Sequence, residues 1–515
     1  MSFPRSSGLL LHISSLPGSH GIGDLGPEAY AFADFLQAAG QTIWQILPIV
    51  PVGHGYSPYS SPSTFAGNTL FISPDLLVKD GLLTANEIDF GADETPKKVD
   101  FRRASEYKQH ILTAAWGRFS KGDPTGIAEE FAQFMSENSS WLHDYALYES
   151  IKARQAGSGW TDWAPPLRDR NKAAIEQFES ENGDLIEMIK FFQFLFDRQW
   201  ASLRKYCHER DVRLFGDLPI YVAQDSAEVW ANRELFYLDS TGNPTVVSGV
   251  PPDYFSETGQ RWGNPLYKWD VMKARDYAWW AARMQRILAL VDLVRLDHFR
   301  GFEAYWEVPA SEKTAIKGEW RKGPGADLFK SLERQLGTLP VIAENLGVIT
   351  EGVTDLMAEF GFPGMAILQF AFDSGPDNPF LPHNYTRDIV AYTGTHDNDT
   401  LLGWWQDTSS TQDAAQIAGA RAYCASYLNL KVSESSGHVN GQCQDLNWKA
   451  IHSLMESLAD MVVTPVQDVL SMESDARMNT PGTTTNNWSW RLESGALTPD
   501  LAGKLSGLTA ATNRR

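Results

Sequence analysis

Eight short apolar runs bounded by turn-forming residues recur along the whole chain: GLLLHISS (8–15), TIWQILPIVP (42–51), VRLFGDLPIYV (212–222), LVDLVRLD (290–297), PVIAENLG (340–347), MAILQFAFD (365–373), DIVAYTGTHD (388–397) and MVVTPVQDVL (461–470). Most follow a helix-like stretch such as WWAARMQRILALV or GADLFKSLERQLG, and this alternation predicts a parallel sheet with helices outside. Eight repeats of it predict an α/β chain closed into a (β/α)8 TIM barrel, with an open doubly wound sheet as the alternative.

Between about 75 and 205 the pattern changes to long helical segments. Leu185, Ile189, Phe192 and Phe196 follow a helical spacing that reads as core packing. The expectation is one elaborated catalytic barrel over residues 1–515 carrying a largely helical insertion at 75–205. The stretch SESSGHVNGQCQD (433–445) reads as a surface loop.

The formal charge is −20, from 64 acids and 44 bases, which opposes binding to phosphate backbones or anionic lipid. Nucleic acid is excluded as a partner on this ground. No run approaches the roughly 18 apolar residues that a membrane helix needs. Cys207, Cys424 and Cys443 are odd in number, far apart and without zinc spacing, so they read as packing residues of a reducing compartment. The N-terminus lacks the pattern of a signal peptide, and the expected location is cytoplasmic.

A barrel strand is buried on both faces, so ionisable groups are tolerable mainly at its ends, and the C-terminal ends are where loops build an active site. Four runs end in acid: Asp217, Asp297, Glu344 and Asp397. Around one mouth, such carboxyls suit glycosidic bond chemistry, in which one attacks the anomeric carbon while another gives the leaving oxygen its proton. Arg295 shares a strand face with Asp297 and should keep it ionised, whereas the apolar VIA before Glu344 should raise that group's pKa. A divalent metal held by His396, Asp397 and Asp399 is the rival reading. Against it stand the absence of an HxH pair on the first strand and the repulsion Arg295 would exert on a cation.

At these residues the sequence resembles the 4-α-glucanotransferases, the amylomaltases or disproportionating enzymes of the α-amylase clan. The matching segments are LLHISSLPG with GIGDLG, SPYSSPSTFAGN, GDLPIYVAQDSAEVW, GVPPDYFSETGQRWGNPLY, VRLDHFRGFEAYWEVP, IAENLG, GTHDNDT and RMNTPGTTTNNWSWR, spread over residues 9 to 491. The resemblance implies a barrel with inserted subdomains, a retaining double displacement on α-1,4-glucans, and no metal or organic cofactor. It makes Asp297 the nucleophile, Glu344 the acid/base, and Asp397 the second aspartate that holds sugar hydroxyls. Arg295 and His396 would support them, with Asp217 and Tyr59 bordering the same subsite.

A retaining enzyme transfers rather than hydrolyses only if it binds the acceptor sugar and keeps water from the intermediate. The segment GVPPDYFSETGQRWGNP (249–265) offers Tyr254, Phe255 and Trp262 as faces for sugar C–H groups, with Gly249, Gly259 and Gly263 as hinge positions, and reads as an acceptor-site lid. Gln260, His298, Phe370, Asp373, Asn479 and Pro481 complete the expected substrate contacts. The expected partners are maltooligosaccharides and starch- or glycogen-like glucans, for a monomer or weak homodimer. An α-glucan hydrolase is the alternative, and a non-catalytic glucan-binding protein a more distant one.

Overall fold

The computed structural model describes residues 4–93, 97–122, 126–252, 256–407, 414–431 and 445–515. Tyr254, Phe255 and Cys443 lie outside the described residues, as does most of 433–445.

Each of the eight apolar runs contains or overlaps one strand of a single parallel sheet. In chain order these are Ser6–Leu10, Ile43–Gln45, Arg213–Pro219, Leu293–Asp297, Val341–Ala343, Gly364–Ile367, Ile389–Tyr392 and Met461–Pro465. The sixth, seventh and eighth strands pair in turn and lead to the first, which is followed by the second through fifth, so neighbours in sequence are neighbours in space. The fifth and sixth strands close the ring without a regular ladder. Ala343 N donates to Pro363 O (2.9 Å) and Met365 N to the Asn345 side-chain oxygen (2.8 Å). Gly364 is needed at this seam, because a Cβ there would lie 2.6 Å from Asn345 Nδ2. The result is a (β/α)8 barrel.

Alternation along the strands fills the barrel. Leu10, Ile43, Phe215, Leu293, Ile342, Met365, Ile367, Val390, Tyr392, Met461 and Val463 form one buried cluster contributed by all eight strands. Two residues above Phe215 and Leu293, on the same face, stand Asp217 and Arg295, which are register partners on adjacent strands. Two further on comes Asp297, the last residue of the fourth strand. The interior thus changes from apolar to charged within one layer, and the switch lies at the C-terminal mouth.

Between the second and third strands the chain forms helices at Pro74–Lys79, Phe101–Phe119, Ala128–Glu137, Leu142–Arg154 and Lys172–His208. Phe192 and Phe196 of the last are buried, while Leu185 and Ile189 are half-buried. The same helix holds the loop after the second strand through two buried glutamines. Gln193 exchanges two bonds with the Gly67 backbone (2.7 and 3.0 Å), and Gln199 does the same with Ser73 (2.7 and 3.2 Å). This clamp grips the same loop that carries Tyr59, at Gly67 and Ser73.

A second, antiparallel sheet of four strands was not expected from the sequence. Gln260–Pro265 pairs with Val246–Val250, which pairs with Ala304–Pro309, which pairs with Glu319–Lys322. The segment 249–265, read above as a glycine-hinged lid, therefore has both ends fixed in a sheet. Gly249 lies within a strand, and Gly259 (φ 64°) turns the hairpin, where a Cβ would come within 2.4 Å of Val250 O. Cys207 and Cys424 are buried. Among the described residues no helix is long and apolar enough to cross a membrane.

Candidate active site

The mouth is organised by one guanidinium. Arg295 points up the barrel and pairs through Nη1 with Asp217 Oδ2 (2.6 Å) and through Nη2 with Asp297 Oδ1 (2.7 Å). Burial works against the charge of Arg295, but Asp217 and Asp297 outweigh it and hold its pKa well above the ordinary value. Asp217 is pushed up by burial against the pull of Arg295. It was expected at a strand end, but it lies inside Arg213–Pro219 and is 2% exposed. The Arg295 pairing and a bond donated by Tyr59 Oη (2.8 Å) make that burial tolerable. Asp297, by contrast, keeps 29% of its side chain exposed toward the mouth.

Glu344 follows the fifth strand directly, and its carboxyl reaches across to the fourth. Its Oε2 accepts from the backbone N–H of His298 (2.8 Å) and its Oε1 from that of Leu346 (2.9 Å). The residue next to Asp297 thus touches the Glu344 carboxyl, so the two acids share one opening. Burial pushes Glu344 up to about 7; Arg295 opposes this, Asp297 adds to it, and the two backbone donors oppose it.

His298 adopts a left-handed backbone (φ 51°), which turns its ring back over the strand end. Burial lowers its pKa to about 4, so the ring is neutral near pH 7. Its Nε2 is buried without a hydrogen-bond partner among the described residues. Trp262, 39% exposed, packs edge-to-face on this ring (4.7 Å) and donates from Nε1 to Gln260 Oε1 (3.1 Å). The small sheet therefore brings Trp262, with Gln260 bonded to it, against His298 just past the fourth strand.

Asp397 stands beyond the seventh strand, in the loop that follows Tyr392. Asn479 Nδ2 donates to its Oδ1 (2.6 Å), Arg477 Nη2 to its backbone oxygen (2.7 Å), and His396 Nε2 lies 3.5 Å from its Oδ1. His396 stacks on Tyr59 (5.2 Å, 10°), and Trp488 packs against both rings. Because Tyr59 bonds Asp217, the Asp397 side of the mouth is continuous with the Arg295 side.

The rival metal triad does not converge. Asp399 turns away, accepting from Ser474 Oγ (2.6 Å) and the Thr400 N–H (2.8 Å), and among the described residues no three His, Cys, Asp or Glu side chains form a metal cluster. Phe370 and Asp373 follow the sixth strand and are exposed, Phe370 against Phe380 (5.8 Å) and Asp373 accepting from Asn378 (3.0 Å). Pro481 is exposed in the loop after Asn479. Among the described residues none of these three bonds to Arg295, Asp217 or Asp297, and Phe255 lies outside the described residues. Tyr221, His12 and Trp488 were not singled out from the sequence. Tyr221 sits near both Trp262 and His298, and His12, held neutral by burial, adjoins His396 electrostatically. The signal for Trp488 was its place in the quoted motif, and for His12 the interruption of an apolar run.

The chain is similar to known proteins over its whole length. A family model described as 4-alpha-glucanotransferase matches residues 11–498. The 4-alpha-glucanotransferase of Thermus thermophilus is 45% identical over 516 residues, covering 100% of both chains. A chloroplastic/amyloplastic 4-alpha-glucanotransferase of Arabidopsis thaliana is 42% identical, covering 95% of this chain and 82% of its own. The amylomaltase of Streptococcus agalactiae, solved in complex with acarbose, superposes with a TM-score of 0.91 at 37% identity, covering 99% of each chain. Matched at this identity over its whole length, the chain belongs to the 4-alpha-glucanotransferase family.

Proposed function

We propose that the mouth performs 4-α-glucan transfer by double displacement, with Asp297 as nucleophile, Glu344 as acid and then base, and Asp397 as holder of the sugar hydroxyls. A carboxylate oxygen of Asp297 forms a bond to C1 of the donor sugar while the C1–O4 bond breaks and Glu344 gives its proton to the departing oxygen. The 4-hydroxyl of an acceptor glucan then returns a proton to Glu344 as its oxygen displaces Asp297 from C1. The α-1,4 linkage is remade and both carboxyls return to their starting states.

The observation that carries this reading is the 2.8 Å bond from the His298 N–H to Glu344 Oε2, which sets the acid beside the strand end bearing Asp297. A Glu344 pKa of about 7 supports it, since a large share of the acid still holds its proton at neutral pH. Neutral His298, its Nε2 buried without a partner among the described residues, and charged Arg295 supply a donor or acceptor and a fixed positive charge beside the reacting carbon. Trp262 and Gln260 offer the acceptor sugar a face and a polar edge. The substrates are maltooligosaccharides and starch- or glycogen-like glucans, and the enzyme works as a monomer or weak homodimer in a reducing cytoplasm.

Water at about 55 M competes for the intermediate, so acceptor binding decides between transfer and hydrolysis. Maltotriose supplied as sole substrate separates the two outcomes. Oligomers longer than three units are expected early; glucose and maltose alone would mean hydrolysis instead.

A further inference from the structure

We infer that Asp468 is a positioning residue that sets the loop bearing His396 and Asp397 by fastening both of its ends to one carboxyl. Asp468 lies just past the eighth strand, in the short helix Val466–Val469, and is 1% exposed. Its Oδ2 accepts from Thr393 Oγ1, at the exit of the seventh strand. Its Oδ1 accepts from the Leu401 backbone N–H (2.7 Å), at the start of the helix Leu401–Gln406. Thr393 and Leu401 bracket the loop, and both are buried. Asn447 holds Asp468 itself by donating to its backbone oxygen (2.9 Å).

Between those two anchors the loop is tied at other points, but from its flanks. Gln369 donates to Asp399 O (2.8 Å), Asn479 N to His396 O (3.1 Å), and Asn398 closes a turn on Thr395 N (2.8 Å). These bonds set the shape of the loop. Asp397 itself is held by Asn479 Nδ2 (2.6 Å) and Arg477 Nη2 (2.7 Å), and among the bonds described Asp468 alone joins the loop's beginning to its end. A buried carboxyl is expensive to keep without a task, and here two bracketing donors account for both oxygens.

The inference rests on the assignment of Asp397 to the sugar hydroxyls. Asp468 touches no reacting atom, so displacing the loop should weaken contacts that tighten as the ring distorts, more than contacts made in the ground state. Asp468→Ala is expected to lower kcat for maltotriose disproportionation about 10- to 100-fold, since small misplacements near the reacting carbon carry losses of this size. KM should change less than about threefold. Asp468→Asn keeps an oxygen for Leu401 and an amide that can meet Thr393 Oγ1, and should recover most of kcat. Thr393→Val, which removes one anchor, should fall between the two.

The discriminating measurement is the Asp468→Ala change made in an Asp397→Asn background, with thermal unfolding recorded for every variant. If the loop acts through Asp397, the second change adds little to the first. A loss of kcat in Asp468→Ala that simply multiplies that of Asp397→Asn, or a folded Asp468→Ala enzyme with wild-type kcat, overturns the inference. So does a parallel fall in kcat and unfolding temperature in Asp468→Asn. If Asp397→Asn is itself fully active, the failure belongs to the role given to Asp397 and not to the clamp.

Discussion

Glu344 and Glu228 are both carboxyls that burial pushes up to about 7, and they sit in opposite kinds of place. Glu228 lies in the helix Ala227–Ala231 on the flank of the barrel, 5% exposed, with Ser63 Oγ donating to its Oε1 (2.6 Å). Glu344 lies at the mouth, half-buried, with two backbone donors below it and Asp297 and Arg295 beside it. A raised carboxyl pKa by itself therefore reports desolvation. Under the proposed mechanism, Glu344 differs from Glu228 in that it opens to the mouth with a second carboxyl, Asp297, on the neighbouring strand.

The largest effect that tests this contrast is at Asp297, the proposed nucleophile. Asp297→Asn keeps the shape of the side chain and part of its contact with Arg295, but it cannot form the glycosyl ester. Turnover of maltotriose is expected to fall by at least about 10⁴-fold with the fold intact by circular dichroism. An Asp297→Asn variant, purified free of wild-type enzyme, that retained substantial turnover would remove the mouth from the mechanism.

Glu344→Gln comes next, with an expected loss of about 10²- to 10⁴-fold, the range of a general acid and base. The pH profile carries the sharper information. In the proposed mechanism Glu344 starts protonated, so kcat/KM in the wild type should fall as pH rises through about 7. In the Glu344→Gln variant the residual activity should lose that alkaline limb. If the limb persists unchanged, another group is the acid.

The two glutamates also differ in how readily the sequence discloses them. Glu344 follows an apolar run directly, and the period-two spacing of Leu293, Arg295 and Asp297 places the charged pair on one face of the strand. Both readings need only local pattern. Asp397 is harder, since its position depends on Asn479 and Arg477 from a distant segment and on the Tyr59, His396 and Trp488 rings, contacts between loops with no periodicity to show them. The second sheet was hidden for a related reason. Its strands come from two insertions separated by the fourth barrel strand, and Gly249, Gly259 and Gly263 gave the first insertion the look of a loop. Strand pairing decided otherwise, because Val247 and Val308 meet across it in a small core of their own. Glu228 stood in a recognised motif, but nothing local marks it as buried.

The smallest expected effect on catalysis is at Glu228, and it shows itself in stability. A folded-state pKa near 7 against an unfolded value near 4.5 means that between those pH values the folded chain holds a proton the unfolded chain has released. The stability that proton contributes is full below about 4.5 and is lost as pH rises through 7. Glu228→Gln keeps an oxygen for Ser63 Oγ and carries no charge to desolvate. Relative to the wild type it should therefore gain on the order of 2–3 kcal/mol in going from about pH 4.5 to about pH 8, with maltotriose turnover at neutral pH changed less than about twofold. Urea midpoints of the two proteins, followed across that range, measure the difference. Midpoints that run parallel at all pH values would mean that Glu228 is already ionised in the fold. A large loss of turnover in the same variant would mean that the flank of the barrel takes part in the chemistry, and the distinction between the two carboxyls would have to be redrawn.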